Sequence, residues 1–246
     1  MEFTGKTAII TGGASGMGLL CGQELAKKGA NVVLTDVNAE AVEAKAGEIR
    51  AGGGKAIGVR ADVRKYEELE SAVRKAVETF GQIDISIYAA GGAPGRIFSD
   101  WTPFPKRKFE LLDWGLDVNL KGALFLSRLV IENMAEHKSG VIINIASIDG
   151  VTGSGAVEYS TAKSGMFGMT KSLALCGAPY NVRACCVVPG PVLTRAAMAN
   201  MKTPLGRAAE PIEVVDFILY LCSEKAAFIT GSSHLIDGGR ACGAQD

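Results

Sequence analysis

A tyrosine and a lysine four residues apart, Tyr159 and Lys163, form the segment of this sequence most typical of acid–base chemistry. They lie in YSTAK, which has a helical pattern, and residues at this spacing share one helical face. A free tyrosine has a pKa of ~10, too high for a base at neutral pH. A neighbouring ammonium group favours the phenolate, so we expect Lys163 to lower the pKa of Tyr159. Because the spacing is common, an ordinary surface pair is the alternative.

Closely spaced glycines between the first predicted strand and the first predicted helix indicate a dinucleotide-binding loop. The segment Thr11–Gly18 reads TGGASGMG, a relative of the G-x-G-x-x-G fingerprint. Glycines permit a tight turn close to a diphosphate, and the following helix begins with free N–H groups and a partial positive charge. A turn without a ligand is the alternative. The candidate cofactor residues in this segment are Gly12, Ser15, Gly16, Met17 and Gly18.

An acidic residue, Asp36, ends the next predicted strand, about 20 residues beyond the glycines. A carboxylate at this place can accept hydrogen bonds from the adenosine ribose and repels a 2′-phosphate. Capping of the following helix is the alternative role, for which Asn38 competes. No Arg or Lys directly follows Asp36, so the sequence predicts NAD(H) rather than NADP(H) as the cofactor.

The elements that would position these residues alternate between short apolar strands and amphipathic helices. Predicted strands cover 7–11, 31–36, 55–60, 83–89, 141–145, 182–188 and 233–236, and predicted helices cover 17–28, 39–51, 66–80, 113–137, 157–175 and 211–223. This order predicts an α/β fold, a Rossmann-like, doubly wound parallel sheet in three α/β/α layers. No linker-like segment interrupts the pattern, so we expect a single domain over residues 1–246.

Two loop-like stretches, about 92–108 and 190–207, follow strand ends at the edge where open parallel sheets bind ligands. Loops of this length are often functional. The first contains aromatic and basic residues: Arg96, Trp101, Phe104, Lys106 and Arg107. It predicts a substrate-side flap with aromatic side chains inside, Trp101 among them, and basic side chains outside. A surface loop with solvated charges is the alternative.

The overall composition excludes several classes of function. The 26 basic and 26 acidic residues balance, which gives no global field for nucleic acid or an anionic membrane and favours self-association. The six cysteines have no metal-binding spacing, so we expect reduced, mostly buried thiols and no metal site. A signal-peptide pattern and a membrane-spanning apolar run are both missing, so we expect a cytoplasmic protein.

Taken together, these motifs resemble the short-chain dehydrogenase/reductase (SDR) family, in its single-domain branch, over essentially the whole chain. TGGASGMG matches the family's cofactor loop, and YSTAK matches its tyrosine–lysine pair. IASIDG places Ser147, and VNLKG places Asn119 on the family's helical asparagine. Further matches are Asp62–Val63, Val187–Thr194 and Ile236–Gly239.

The resemblance implies catalytic roles for four residues. Tyr159 would exchange a proton with the alcohol or carbonyl oxygen, and Ser147 would hydrogen bond the same oxygen. Lys163 would bind the nicotinamide ribose, and Asn119 would hold a water that links Lys163 to solvent. These roles imply hydride transfer between NAD(H) and a secondary alcohol/ketone pair.

The resemblance also implies cofactor and substrate contacts. Asp62 and Val63 would contact adenine, and Thr194 with the backbone of Val192 would hold the carboxamide. The remaining matched cofactor residues are Ala90, Gly91, Pro189 and Gly190. Asp149 would bind a second substrate hydroxyl, with capping of the next turn as the alternative. Met198 and Met201 would form an apolar lid or pack in the core.

One segment departs from the family pattern. The family usually carries N-N-A-G after the fourth strand, and this chain has Tyr88–Ala89–Ala90–Gly91. The two missing asparagines normally tie the central sheet together and flank the adenosine half of the cofactor. Tyr88 could simply be a core residue.

Two other functions remain open at this point. A 3-oxoacyl-thioester reductase is one, although such enzymes usually use NADPH, against which Asp36 argues. A non-catalytic dinucleotide-binding protein is the other, although it should lack part of the Ser/Tyr/Lys set. The expected partners are a small-molecule substrate and, as is common in the family, further copies of the chain in a homotetramer.

Overall fold

Seven strands form one parallel sheet in the computed structural model, which describes residues 1–243. The strands are β1 (Thr7–Thr11), β2 (Asn31–Asp36), β3 (Lys55–Arg60), β4 (Ile85–Tyr88), β5 (Gly140–Ile145), β6 (Val182–Pro189) and β7 (Ser233–Ile236). Their order is β3-β2-β1-β4-β5-β6-β7, and every neighbouring pair is parallel. The order reverses between β1 and β4, so a crevice opens there at the carboxyl ends of the strands.

The helices cover both faces of the sheet. They are α1 (Gly16–Lys27), α2 (Ala39–Ala51), α3 (Tyr66–Phe80), α4 (Pro94–Ile97), α5 (Phe109–Leu116), α6 (Gly122–His137), α7 (Asp149–Thr152), α8 (Val157–Gly177) and α9 (Pro211–Cys222). Successive strand residues face opposite sides, so Ile10 packs with Leu25 of α1 while Ile9 packs with Leu69 of α3. Each such buried side chain contributes about 1.5–3 kcal/mol. The predicted three-layer, Rossmann-like fold is confirmed.

The predicted helix 113–137 is wrong in its start and in its continuity. Two helices, α5 and α6, occupy this stretch, and a π-helical turn, Asp117–Lys121, joins them. The side-chain amide of Asn119 donates to the carbonyl of Gly115 at 2.9 Å, an internal contact that helical periodicity does not reveal. Such π turns are frequent at functional sites.

Where the chain departs from the family pattern, at the end of β4, other side chains join the strand to its neighbours. Tyr88 is fully buried, and its hydroxyl donates to the carbonyl of Val118 at 2.5 Å, so its core role is confirmed. The hydroxyl of Thr11, at the end of β1, accepts hydrogen bonds from the backbone of Ala89 and Ala90 at 3.1 and 3.2 Å. Thr11 therefore ties β1 to the end of β4 in this chain.

The predicted orientation of the 92–108 flap is wrong for most of its side chains. Trp101 and Phe104 are 71% and 44% exposed, whereas Arg107 is only 9% exposed. Arg107 can be buried because its guanidinium pairs with the buried carboxylate of Glu158 at 2.5 Å and donates to the carbonyl of Thr102. This ion pair fastens the flap to the first turn of α8.

All six cysteines are free thiols, four of them buried. Within residues 1–243, no helix is long and apolar enough to cross a membrane.

Candidate active site

A cleft of about 870 Å³ lies at the carboxyl ends of the strands. The predicted cofactor residues all line it: Gly12, Ser15, Gly16, Met17, Gly18, Asp36, Asp62, Val63, Ala90, Gly91, Tyr159, Lys163, Pro189, Gly190, Val192 and Thr194. Ser147, Asp149 and Trp101 line it too. Asn119 does not, because its side chain is fully buried behind the cleft wall.

Glycines let the loop before α1 turn tightly against the end of β4. Gly12 has a φ of +65°, and a Cβ added to it would lie 3.0 Å from the backbone nitrogen of Ala90. A Cβ on Gly18 would lie only 2.5 Å from the carbonyl oxygen of Gly12. The first turn of α1 carries no acidic residue. The loop and the positive end of α1 therefore fit a dinucleotide diphosphate.

Asp36 lies beside this loop, at the end of β2. One carboxylate oxygen accepts from the backbone of Ala14 at 3.2 Å and the other from the backbone of Asn38 at 3.1 Å. Asn38 itself caps α2 by accepting from Ala41. The capping role thus belongs to Asn38, and Asp36 lines the cleft where a ribose would lie.

Asp62 has a partner that the sequence reasoning missed. Arg64 forms a two-pronged ion pair with its carboxylate, with contacts of 2.6 to 3.1 Å. Hydrogen bonding to Arg64 holds the pKa of Asp62 below its ordinary value. The carboxylate of Asp62 is therefore already bound to a guanidinium, and Arg64 also lines the cleft. Its position two residues after Asp62 was the only signal in the sequence.

Tyr159 and Ser147 meet at the other end of the cleft. Ser147 follows β5, and Gly150 lets the turn after it approach α8, because a Cβ there would lie 2.8 Å from the backbone of Lys163. Burial raises the pKa of the Tyr159 phenol, and hydrogen bonding to Ser147 lowers it. The charge of Asp149 also raises the pKa of Tyr159. The hydroxyls of Ser147 and Tyr159 are thus neighbours in the cleft, and the two together can bind a single substrate oxygen.

Lys163 is fixed at the floor of the cleft. Its ammonium nitrogen donates to the carbonyl of Ile145 at 2.8 Å and lies 5.7 Å from the ring centre of Tyr159. Burial lowers the pKa of Lys163 to about 8. The expected lowering of the Tyr159 pKa by Lys163 stays a prediction. The charges that lower the pKa of Tyr159 come from Arg96 and Arg195.

Asn119 joins the π-helical turn to the backbone after β4. Its amide nitrogen donates to the carbonyl of Gly92 at 3.0 Å, and its amide oxygen accepts from the nitrogen of Gly92 at 2.9 Å. A Cβ on Gly91 would lie 2.7 Å from that oxygen and 3.3 Å from the ammonium nitrogen of Lys163. Gly91 therefore brings Asn119 and Lys163 close to each other.

The substrate end of the cleft combines charged and apolar side chains. Arg96, Asp149 and Arg195 line it, and sequence reasoning missed Arg195 although it directly follows Thr194. The apolar lining residues are Ile97, Trp101, Trp114, Met198 and Met201. Burial raises the pKa of Asp149. The predicted lid residues Met198 and Met201 thus border the cleft.

Residues 6–204 match the family described as short chain dehydrogenase. The chain belongs to the short-chain dehydrogenase/reductase family. As an SDR, it is an oxidoreductase that uses a nicotinamide dinucleotide.

Curated relatives and a solved structure match this SDR over nearly its full length. It is 32% identical to (2S)-[(R)-hydroxy(phenyl)methyl]succinyl-CoA dehydrogenase subunit BbsD of Thauera aromatica, over 98% of both chains. It is 35% identical to the 3-oxoacyl-[acyl-carrier-protein] reductase FabG of Aquifex aeolicus, over 97% of this chain and 98% of the relative. A crystal structure of a short-chain type dehydrogenase/reductase from Mycobacterium marinum matches with a TM-score of 0.91 and 30% identity, over 98% of this chain and 97% of that one.

Proposed function

We propose that this SDR transfers a hydride between NAD(H) and a secondary alcohol/ketone pair. The observation that carries the proposal is the convergence of Ser147, Tyr159 and Lys163 in the same cleft as the glycine loop. When bound, the nicotinamide ring supplies or accepts the hydride. The Thauera aromatica relative, which is named as a dehydrogenase of a hydroxyl-bearing substrate, supports this reaction class.

In this proposal the protein's own groups handle the proton. In reduction, Tyr159 donates its phenolic proton to the carbonyl oxygen while Ser147 stabilises the charge that develops there. In oxidation, the phenolate takes the proton from the alcohol. Lys163 holds the nicotinamide ribose, and Asn119 with Lys163 provides a path by which the proton reaches solvent.

The preference for NAD(H) rests on the charges at the adenosine end of the cleft. Asp36 would face the ribose hydroxyls and repel a 2′-phosphate. Arg64 lines the same end, but its guanidinium is committed to Asp62. Asp36 is an anion and Arg64 is already paired, so neither side chain would bind a 2′-phosphate.

A coupled screen tests the function. Purified protein is assayed with NAD(H) and with NADP(H) over alcohols, polyols, steroids and ketones. We expect turnover of a secondary alcohol or its ketone, with a higher kcat/KM for NAD(H). A higher kcat/KM for NADP(H) would contradict the cofactor assignment. If NADH binds but no compound in the panel is turned over, the result would favour a non-catalytic dinucleotide-binding protein.

A 3-oxoacyl-thioester reductase is the second candidate. The 35% identity to the Aquifex aeolicus reductase favours it. Asp36 argues against it, because the NADPH that such reductases usually use carries a 2′-phosphate. Faster reduction of acetoacetyl-CoA with NADPH than of any panel ketone with NADH would establish it.

We also propose a homotetramer that works in the cytoplasm. Phe109, Leu116 and Leu124 are exposed apolar residues on α5 and α6, the central helices through which SDRs commonly associate. Six free thiols suit a reducing compartment. Light scattering should give a mass near four times the 25.7 kDa chain, and a monomer would contradict the tetramer.

A further inference from the structure

Two arginines at the substrate end of the cleft stand out because they lack acidic partners. Arg96 lies on α4, after β4, and Arg195 follows Thr194, after β6. Among residues 1–243, they are the only arginines whose guanidinium neither pairs with a carboxylate nor donates to an oxygen. Arg195 has only a 3.6 Å contact with the sulfur of Met198.

The other arginines show how this chain ordinarily compensates a guanidinium. Arg64 is paired with Asp62, Arg107 with Glu158, and Arg207 with Glu213. Even Arg183, which has no carboxylate, donates to three backbone carbonyls. Apart from the weak hydrogen bond from Arg195 to the sulfur of Met198, the guanidinium donors of Arg96 and Arg195 have no partner among residues 1–243, and both side chains are exposed.

The two arginines are close enough to influence each other and the reacting phenol. Burial and the charge of Arg195 lower the pKa of Arg96, and both arginines lower the pKa of Tyr159. Two like charges at one site repel each other, and an anion between them would relieve that repulsion. Such an anion would lie near the oxygen on which Tyr159 acts.

The exposed side chain of Arg96 lies next to the backbone that leads to the reacting end. Its guanidinium packs over Gly92, where an added Cβ would lie 2.5 Å from Nη2. The amide of Gly92 is in turn bonded to Asn119. Because Gly92 has no side chain, the guanidinium of Arg96 can lie near Asn119, Lys163 and Tyr159.

Asp149 does not neutralise the arginine pair. Its carboxylate hydrogen bonds with Ser154, and the charge that acts on it is that of Arg240. The walls around the pair are apolar and aromatic, with Ile97, Trp101 and Trp114 among the lining residues. The substrate end therefore offers two exposed cations beside apolar and aromatic side chains.

We infer that Arg96 and Arg195 bind a carboxylate of the substrate, which is a hydroxy acid or keto acid with an apolar body. This inference rests on the proposed alcohol/ketone chemistry and specifies its substrate class. A planar guanidinium matches a carboxylate with two parallel hydrogen bonds, and charge-assisted bonds of this kind are roughly twice as strong as neutral ones. The apolar walls would receive the rest of the molecule.

A binding experiment tests the inference without depending on turnover. The protein saturated with NADH is titrated with 3-phenylpropanoate and with the neutral 3-phenylpropanamide, and the tryptophan or NADH fluorescence is followed. We expect the acid to bind at least ~10-fold more tightly than the amide. Arg96→Gln and Arg195→Gln should each remove most of that difference. Arg74→Gln, on the exposed face of α3, is the matched control and should preserve it.

Three results of the binding experiment would overturn the inference. One is equal binding, or no binding, of acid and amide to the unsubstituted protein. Another is an acid–amide difference that survives both arginine substitutions. The third is a loss of NADH affinity in both variants as large as the loss for the acid, which would assign the arginines to the cofactor diphosphate. NADH binding by each variant also shows that it has folded.

A turnover assay distinguishes failure of this inference from failure of the proposed function. The substrates are 3-hydroxy-3-phenylpropanoate and its amide, each with NAD⁺. Faster turnover of the acid supports the inference, and equal turnover of both contradicts it while leaving the alcohol chemistry intact. If the carboxylate probe binds through the arginines but no alcohol or ketone in the panel is turned over, the proposed function fails and the anion site stands.

Discussion

At the scale of single residues, burial shifts the pKa values of Tyr159 and Lys163 in opposite directions. Burial raises the pKa of the Tyr159 phenol and lowers that of the Lys163 ammonium to about 8. At neutral pH Tyr159 is therefore a neutral acid, ready for reduction. Oxidation needs the phenolate, and a bound oxidised nicotinamide would favour it by adding positive charge.

The pH profile of oxidation should reflect this phenol and its neighbour Asp149. Because the phenolate is the base, kcat/KM for oxidation should rise about tenfold per pH unit until it levels off at the pKa of Tyr159. The negative charge of Asp149 raises that pKa, so Asp149→Asn should move the rising limb to lower pH. Initial rates measured across pH check this. A limb that stays in place or moves to higher pH would contradict the assignment.

At the scale of the elements, two features hold the site together: the glycine loop between β1 and α1, and the ion pair between the flap and α8. The loop works because side chains are absent where an added Cβ would lie 2.5 Å (Gly18) or 3.0 Å (Gly12) from other backbone atoms. The ion pair works because Arg107 and Glu158 are both buried and compensate each other.

The substitution Gly18→Ala tests the loop. The added Cβ would lie 2.5 Å from the carbonyl oxygen of Gly12, so the loop must shift and NADH affinity should fall at least ~10-fold. Gly47→Ala is the control, since its Cβ would meet only the flexible end of Arg50 at 3.6 Å. Fluorescence titration with NADH measures both. Unchanged NADH binding by the Gly18 variant would refute the diphosphate role of the loop.

The substitution Arg107→Met tests the ion pair. It leaves the buried carboxylate of Glu158 uncompensated, with one oxygen that already has no partner in residues 1–243. We expect a loss of about 3 kcal/mol in the free energy of unfolding. Adding Glu158→Leu should restore most of it, because removing both charges removes the desolvation cost.

Urea unfolding at a fixed protein concentration measures these changes. Arg128→Met is the matched control, since Arg128 and Glu132 form an exposed pair on α6. Its cost should stay below about 1 kcal/mol. If Arg107→Met costs no more than this control, the flap is not held to α8 by the pair.

At the scale of the whole molecule, the sequence predicted the architecture well and the substrate end poorly. Strands such as β1 and β2 and helices such as α2 follow hydrophobic periodicity, and their predicted bounds agree with the structure residue for residue. The break between α5 and α6 was missed because it depends on the side chain of Asn119. Arg107 was placed outside because its partner Glu158 is distant in sequence. Such long-range pairings leave no local pattern.

The same distinction applies within the cleft. Glycine spacing and the YSTAK segment predicted the residues that line its cofactor end. The partner of Asp62 and the presence of Arg96 and Arg195 in one cleft were missed, because both depend on which side chains the fold brings together. The cofactor end is thus encoded in local motifs, and the substrate end arises from loops that the fold brings together.

Tyr159 is the proton-transferring group of the proposed mechanism, and Tyr159→Phe tests this role most directly. With the best substrate of the panel, the variant should bind NADH within about twofold of the unsubstituted protein while kcat falls by ~10³-fold, because only the phenolic hydroxyl is removed. Turnover above roughly a tenth of the original rate, with NADH binding intact, would contradict the account, since general acid–base catalysis contributes ~10²- to 10⁴-fold.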